Sequence, residues 1–306
     1  MTRALTILGT AAQSPTATRN QNGYLLRWDD EAILFDPGEG TQRQMLLART
    51  SAASLTRICI THFHGDHCLG LPGVVQRRSL DPNPSPLDLH YPARGHRHIE
   101  ALLAATVWDT DMLEVRLHPM SDGDSIALDE HSRLDAKALD HTTDTLGWRI
   151  EEGPRRHLQV EKITDLGIEG PAIGKLQKQG WYEQHGRRID IEEVSVVTPG
   201  QRFALVMDTR RCAAASELAE GADLLVIEAT YLESEAALAA PHGHLTAREA
   251  AEIGRGAIAR RTVLSHFSDR YTELTAYAEQ TRDILEDCIV GIDLTVVAVP
   301  RRRDAD

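Results

Sequence analysis

Apolar residues alternate with polar ones, or form short continuous runs, at several places along the chain, and these runs predict β-strands. The predicted strands cover residues 4–9, 23–28, 32–36, 57–60, 87–91, 133–139, 203–207, 223–227, 262–264 and 294–299. Segments with helical spacing lie between several of them, at residues 41–50, from 69 onward, and at 96–106, 246–260 and 272–286. Alternating strands and helices are typical of an α/β protein.

Turn and capping residues mark some boundaries of these elements. Residues 81–86 contain three prolines and predict a surface loop, because proline cannot pair inside a central sheet. Thr246 predicts a helix N-cap, with Glu249 completing a capping box. The tail from Arg301 to Asp304 predicts a frayed end.

The pattern fails between residues 151 and 193, where polar residues and glycines dominate. Only residues 171–178 predict a short helix there. A stretch of this length without a core pattern is typically functional or mobile. We therefore expect one domain over residues 1–306 that carries a flexible insertion at 151–193.

Whole-chain composition is that of an ordinary globular protein of 306 residues. No apolar run approaches the roughly 20 residues that span a bilayer, and the first residues lack the apolar segment of a signal peptide. The four cysteines are scattered and form no Cys-x-x-Cys pair, which favours reduced thiols. The expectation is a cytoplasmic protein with no membrane partner.

The formal net charge of -13 argues by itself against a nucleic-acid partner, since phosphate backbones are bound mainly by lysine and arginine. The distribution of charge matters more than the sum. Lysines are rare in the chain, yet Lys162, Lys175 and Lys178 lie in one segment, flanked by arginines. On charge alone, a solvated loop explains this segment at least as well as a binding surface does.

The densest candidate chemistry lies in residues 61–67, Thr-His-Phe-His-Gly-Asp-His, between a predicted strand and a predicted helix. The pattern His-x-His-x-Asp-His places His62, His64, Asp66 and His67 on one tight connection. Imidazole and carboxylate together suit zinc, with manganese as the alternative. One ion needs only three or four protein ligands, so a loop that presents four predicts two ions. The alternative, a set of surface histidines, fits so dense a pattern poorly.

Three further candidate ligands, His141, Asp208 and His266, each follow a predicted strand at its C-terminal end. Such ends converge at one edge of a sheet in α/β folds. The ligands divide into His62, His64 and His141 for one metal and Asp66, His67 and His266 for the other, with Asp208 between them. Two zinc ions hold a hydroxide and stabilise both oxygens of an in-line displacement. This favours hydrolysis of a phosphodiester, another ester or an amide, and the spacing does not choose among them.

This arrangement resembles the metallo-β-lactamase superfamily and, within it, the ribonuclease Z family. The matching stretches are 36–44 (Asp-Pro-Gly-Glu-Gly-Thr-Gln-Arg-Gln), 170–176 (Gly-Pro-Ala-Ile-Gly-Lys-Leu), 228–231 (Glu-Ala-Thr-Tyr) and 242–247 (His-Gly-His-Leu-Thr-Ala). The chain departs from the family at Leu245, where many members carry serine, and in the spacing after Leu176. The resemblance implies an αββα four-layer sandwich built from two similar halves, with the insertion between them.

The resemblance also implies an activity and residue roles. The activity is zinc-dependent removal of the 3′ trailer from precursor tRNA, which leaves a 3′-hydroxyl on the tRNA and a 5′-phosphate on the trailer. Asp66 would orient or deprotonate the attacking water, and His244, held by Glu228, would donate a proton to the departing ribose oxygen.

In this family the insertion is an arm that grips tRNA, and in the usual homodimer it serves the partner's active site. The implied arm residues are Lys162, Gly170, Pro171, Lys175 and Lys178.

Two other readings remain open from the sequence. The chain could be a different hydrolase of the superfamily, such as a lactonase, an arylsulfatase or a small-molecule phosphodiesterase. Such enzymes share the metal loop, but we do not expect them to carry the Gly-Pro segment or the pair Glu228 and His244. The other reading is a non-catalytic RNA-binding protein that keeps zinc for structure.

Overall fold

The computed structural model describes residues 3–82 and 84–302. Its strands are β1 Ala4–Gly9, β2 Gly23–Trp28, β3 Glu31–Phe35, β4 Arg57–Cys59, β5 Leu87–Pro92, β6 Val115–Met120, β7 Ser125–Ala127, β8 Ser132–Leu139, β9 Thr145–Glu152, β10 Arg155–Leu158, β11 Trp181–Gln184, β12 Arg187–Asp190, β13 Ser195–Thr198, β14 Arg202–Val206, β15 Leu224–Glu228, β16 Thr262–Ser265, β17 Cys288–Val290 and β18 Val296–Ala298. The helices are α1 Thr41–Leu47, α2 Gly65–Cys68, α3 Leu71–Ser79, α4 His96–Ala104, α5 Val160–Asp165, α6 Pro171–Gln179, α7 Ala213–Ala219, α8 Ala236–His242, α9 Ala247–Gly256 and α10 Thr275–Thr281. Short 3-10 turns cover Ala52–Ser54, Ala93–Gly95, Ile191–Val194 and Glu233–Glu235. Asn83 of the predicted 81–86 loop, and the predicted frayed tail beyond Arg302, lie outside the described residues.

Two seven-stranded sheets form the larger of two compact units, which comprises residues 3–151 and Arg202–Pro300. The first sheet has the order β18-β1-β2-β3-β4-β5-β6, and the second has the order β17-β16-β15-β14-β9-β8-β7. Strands β3 to β6 run parallel to one another, as do β14 to β17. Each sheet therefore has several parallel strands whose carboxyl ends meet at one edge.

Three apolar clusters show how the layers of this unit are stacked. The inner cluster joins the two sheets and includes Tyr24, Phe35, Trp148 and Phe203. Alternate residues of the first sheet point the other way and pack against α1, α3 and α4, and the outer face of the second sheet packs against α7, α9 and α10. The order helix, sheet, sheet, helix confirms the predicted αββα sandwich.

The sequence pattern did not predict β6, β7, β9, β17, α7 or α8. Strand β9 is buried on both faces, but it contains Gly147, and glycine weakens a strand pattern. An added Cβ at Gly147 would lie 2.3 Å from Leu218 Cδ1, so the leucine side chain would have to shift. The predicted helix at 272–286 was too long, since α10 covers only Thr275–Thr281. The predicted capping box of Thr246 and Glu249 is present at the start of α9.

The smaller compact unit covers Glu152–Gln201 and contains more structure than its sequence pattern indicated. Strand β10 pairs with β13, and β11 pairs with β12. A small apolar cluster closes the unit, with Ile163, Ile168 and Leu176 at its centre. The predicted short helix is α6, and the unit extends past residue 193 because β13 completes a strand pair.

Among the described residues, none of the helices combines the length and the apolar character that crossing a membrane requires.

Candidate metal centre

The predicted metal loop joins β4, which ends at Cys59, to the short helix α2, which begins at Gly65. His64 precedes the helix, while Asp66 and His67 are buried within it. His62 lies at the end of the preceding segment and is completely buried. The side chains of these four residues therefore emerge from one turn at the carboxyl end of a parallel strand.

A first cluster of candidate ligand atoms combines this loop with two strand ends of the second sheet. His62 Nε2 lies 2.9 Å from His64 Nδ1, and His141 Nε2 lies 3.3 Å from the same His64 atom. Asp208 Oδ2 lies 3.4 Å from His62 Nε2 and 3.6 Å from His141 Nε2. His141 follows β8, and Asp208 follows β14.

A second cluster lies on the other side of Asp208. His67 Nε2 and His266 Nε2 are 3.3 Å apart, and Asp66 Oδ2 is 3.4 Å from each of them. Asp208 Oδ1 lies 3.3 Å from His67 Nε2 and 3.2 Å from His266 Nε2. The structure thus brings together all seven side chains that were assigned as ligands, in the two groups into which the sequence divided them, and it also places a ring nitrogen of His244 within 4.8 Å of ligand atoms of Asp208 and His266.

The spacing within both clusters fits a metal ion. Tetrahedral zinc with ligand bonds of about 2.0–2.1 Å separates its ligand atoms by roughly 3.3 Å, and the separations above lie close to that value. Asp208 presents one carboxylate oxygen to each cluster, and its Oδ1 is buried without a hydrogen-bond donor. A buried carboxylate oxygen that faces two imidazole nitrogens is suited to bind a cation.

The electrostatics of the histidines point the same way. Burial lowers the pKa of His62, His64 and His141, so these imidazoles are neutral, as metal ligands must be. Burial would also lower the pKa of His67, but the surrounding carboxylates, with Asp208 first, raise it well above its usual value. The negative charge of the carboxylates is therefore not balanced by the neutral histidines, and it holds a proton on His67. A bound cation would supply the positive charge in place of that proton.

A threonine fixes the orientation of one histidine in each cluster. Thr61 Oγ1 donates to Asp36 Oδ2 at 2.7 Å, so it can only accept the bond of 3.0 Å from His62 Nδ1. The His62 Nε2 lone pair is thereby left for the site. Asp36 also lies 2.8 Å from His67 Nδ1 and orients that ring in the same sense.

The second sheet repeats this device with different residues. Thr230 Oγ1 donates to Glu228 Oε2 at 2.6 Å and accepts from His266 Nδ1 at 2.8 Å. His141 Nδ1 donates instead to the carbonyl oxygen of Gly243 at 2.8 Å. In each case the protonated nitrogen faces away from the site and the free nitrogen faces into it.

The pair Glu228 and His244 lies beside the second cluster. Glu228 is completely buried, and its carboxylate accepts from the backbone N–H of Thr209 at 2.7 Å and of Leu245 at 3.1 Å. His244 Nδ1 lies 3.1 Å from Glu228 Oε1. Burial opposes protonation of His244, but the Glu228 carboxylate outweighs it and raises the pKa of His244 to about 9.

Three residues of the centre have left-handed backbone conformations that are uncommon outside glycine. The φ angles are 45° at Asp36, 46° at Asp208 and 61° at His266. Each follows a parallel strand and turns the chain sharply at the sheet edge. Strain of this kind concentrates at functional sites, where the surrounding structure holds it.

Sequence reasoning had no basis for some of these contacts. Asp36 and Thr230 belong to sequence motifs, but the motifs do not indicate which side chains these residues contact. Thr61 contacts a candidate ligand, whereas Ser265 Oγ lies 2.7 Å from the Tyr24 hydroxyl. At Leu245 the side chain is buried in the apolar cluster behind the second sheet, so the departure from the family at this position does not alter the centre.

The predicted arm residues lie in the smaller unit. Lys162 is on α5, where its Nζ donates to the Glu193 carbonyl oxygen at 3.2 Å. Gly170 has φ 53° and precedes α6, whose first residue is Pro171. Lys175 and Lys178 are both exposed on α6 and make no ion pair within the described residues. The neighbouring arginines are ion-paired inside the unit, as Arg187 is with Glu193.

Comparison with known proteins agrees with this geometry. The sequence profile of the Metallo-beta-lactamase superfamily matches residues 17–159, and the αββα sandwich is the fold of that superfamily. Ribonuclease Z of Salinispora arenicola is 49% identical over 304 residues, which cover 99% of this chain and 98% of the relative. Ribonuclease Z of Streptomyces coelicolor is 47% identical, over 98% of this chain and 99% of the relative. The chain belongs to the ribonuclease Z family.

A solved structure gives the same result in three dimensions. The crystal structure of human tRNase Z, short form, superposes with a TM-score of 0.68 at 25% sequence identity, and the match covers 97% of this chain and 100% of the human one.

Proposed function

We propose that this chain is a metal-dependent endoribonuclease that removes the 3′ trailer from precursor tRNA. The observation that carries the proposal is the pair of buried Glu228 and half-buried His244 beside two clusters of candidate metal ligands. Similarity to ribonuclease Z over nearly the whole chain, and to a human tRNase Z, supports tRNA as the substrate.

The donor set supports two Zn²⁺ per subunit, with Mn²⁺ as the alternative. Imidazole nitrogen supplies three of the four candidate ligand atoms of the first cluster and two of the four of the second, and sites that combine imidazole with carboxylate suit zinc. When bound, such a pair lowers the pKa of water toward about 7 and neutralises charge on the scissile phosphate.

Asp66 is proposed to orient or deprotonate the attacking water. Burial would raise the pKa of Asp66, yet His67 and His266 hold it far below the usual value, so the carboxylate is ionised. The backbone N–H of Gln13 donates to Asp66 Oδ2 at 2.7 Å and fixes the carboxylate in place. A fixed, ionised carboxylate can accept a hydrogen bond from a water molecule and orient it without rearranging.

His244 is proposed to protonate the leaving oxygen. Its Nδ1 is held by Glu228, so Nε2 is the atom that can face the substrate. Protonation of the ribose 3′ oxygen would leave a 3′-hydroxyl on the tRNA and a 5′-phosphate on the trailer. Because Glu228 raises the pKa of His244 to about 9, the protonated form is present at neutral pH.

The smaller unit is proposed to bind the tRNA backbone. The exposed lysines of α6, Lys175 and Lys178, form no ion pair with any residue that the structure describes, and they supply positive charge in a chain whose formal net charge is -13. Lys162 and the turn at Gly170 and Pro171 belong to the same surface in this proposal. A cytoplasmic homodimer, in which this arm serves the partner's active site, completes it.

Cleavage of an end-labelled precursor tRNA with a 3′ trailer tests the proposal. The zinc-loaded wild-type protein should cut once after the last nucleotide of the mature tRNA and leave a 3′-hydroxyl. His244→Ala should lower the single-turnover rate by roughly 100- to 10,000-fold, the usual range for a general acid. The matched control, His131→Ala, changes an exposed histidine outside the centre and should retain full activity.

Two results would contradict the proposal. If neither zinc nor manganese supports cleavage, a different hydrolase of the superfamily is the better assignment. If the zinc-loaded wild-type protein binds precursor tRNA but has no cleavage activity that Asp66→Ala could remove, the metal ligands serve structure and the RNA is only bound.

A further inference from the structure

Two aromatic side chains at the mouth of the metal centre have no role in the proposed chemistry. Tyr231 and His242 line a cavity of about 590 Å³ together with His64, Asp66 and His244. Tyr231 is half-buried and His242 is exposed. Their rings lie within 26° of parallel, with centroids 6.5 Å apart, so the two flat faces are aligned.

The backbone ties Tyr231 to the segment that carries His244. Tyr231 N–H donates to the Leu245 carbonyl oxygen at 3.2 Å, and Ala247 N–H donates to the Tyr231 carbonyl oxygen at 2.8 Å. The Tyr231 and His244 rings are 6.1 Å apart. Any group that stacks on Tyr231 is therefore held at a fixed position relative to the proton donor.

We propose that Tyr231 and His242 form a stacking surface for the base of the nucleotide whose 3′ oxygen leaves. This inference rests on the proposed function, because it takes His244 as the proton donor. The leaving oxygen and that base are attached to the same ribose. When the oxygen lies at His244, the base is therefore only the width of one ribose away from the proton donor. Asp66 acts on the entering water, and in an in-line displacement the entering group is opposite the leaving one.

The kind of contact determines what is recognised. Aromatic faces bind every base, because each base has a π face, and larger rings stack more strongly. The surface should therefore tolerate any base at the last nucleotide of the mature tRNA, with a preference for purines. Its role is to position the leaving group, and it discriminates little by hydrogen bonding.

The test compares intact precursor tRNA with substrates that lack one base. One substrate is abasic at the last mature nucleotide, and the matched control is abasic at the first trailer nucleotide. For the wild-type enzyme, loss of the mature base should lower kcat/KM by roughly 5- to 150-fold, the range that stacking of one base gives. Tyr231→Ala should lower kcat/KM by a similar factor on the intact substrate, and Tyr231→Phe should restore most of it.

The decisive comparison is whether the loss caused by Tyr231→Ala depends on which base the substrate lacks. On the substrate that is abasic at the mature nucleotide, Tyr231→Ala should cause little further loss, whereas on the trailer-abasic control it should cause the full loss. Equal losses on all three substrates would overturn the stacking surface and assign Tyr231 a structural role. If the wild-type enzyme cleaves no precursor at all, the proposed function itself has failed, which is a different result.

Discussion

Removal of one hydroxyl, by Thr230→Val, tests how the second ligand cluster is built. Thr230 is 3% exposed, and its hydroxyl joins Glu228 Oε2 to His266 Nδ1. Valine keeps the shape of the side chain but can neither donate nor accept. The Glu228 carboxylate keeps its backbone donor from Leu245, while the buried His266 Nδ1 loses its acceptor.

The expected magnitude follows from these contacts. A hydrogen bond to a charged group contributes about 1.5–3 kcal/mol, and an unsatisfied buried donor costs about 1–3 kcal/mol. The free energy of unfolding of the metal-free protein should fall by about 2–4 kcal/mol, since the methyl group of valine offsets part of the loss. His266 can also turn its free nitrogen away from the centre, so the affinity of one metal should fall by roughly 10- to 100-fold.

Competition with a chromophoric chelator measures the zinc affinity, and denaturant unfolding measures the stability. Thr230→Ser keeps the hydroxyl and is the matched control. Thr61→Val removes the corresponding hydroxyl at His62 and should weaken the other metal, so the double variant should weaken both binding steps. If Thr230→Val binds both metals with wild-type affinity, or if the serine and valine variants behave alike, the hydroxyl does not determine which ring nitrogen of His266 faces the centre, and the reasoning is refuted.

Three further perturbations have definite expected outcomes. In the wild-type protein the negative charge of Glu228 outweighs the effect of burial and raises the pKa of His244 to about 9. Glu228→Gln removes that charge, so the pKa of His244 should fall and the alkaline limb of the single-turnover pH–rate profile should move to lower pH. An unmoved limb would argue against His244 as the acid. Gly243→Ala places a Cβ 2.5 Å from His141 Nδ1 at a φ of 81°, so zinc affinity at the first cluster and cleavage should both fall, as chelator competition will show. Replacing the two exposed lysines of α6 with glutamate should weaken precursor tRNA binding several-fold and make it less dependent on salt. Hydrolysis of a small phosphodiester should be unchanged. Equal loss of precursor cleavage and of small-phosphodiester hydrolysis would contradict a separate RNA-binding arm.

The parts of the fold that the sequence predicted are those with a strong local pattern. Strands β1 and β2 were predicted with their observed bounds, because their alternating residues enter two different apolar clusters. Strand β6 has mostly exposed or half-buried residues, so its pattern is weak. The smaller unit was harder still, since its core draws single residues such as Ile163, Ile168 and Leu176 from short elements.

The metal centre divides in the same way. The 62–67 pattern is local, and strand ends suggested the distant ligands His141, Asp208 and His266. The roles of Asp36 and Thr230 depend on hydrogen bonds between elements that only the folded chain brings together. Neither the left-handed conformation of Asp208 nor the direction of each of its oxygens has a signature in the sequence.

The ligand clusters draw on both sheets of the sandwich, with His62 and Asp66 from one side and Asp208 and His266 from the other. A cation bound by these residues would link the two sheets at the edge where the ligands lie. Loading should then slow amide hydrogen exchange at the carboxyl ends of β4, β14 and β16 more than at their amino ends. The same ions that equip the enzyme for chemistry would also keep its two halves together during turnover.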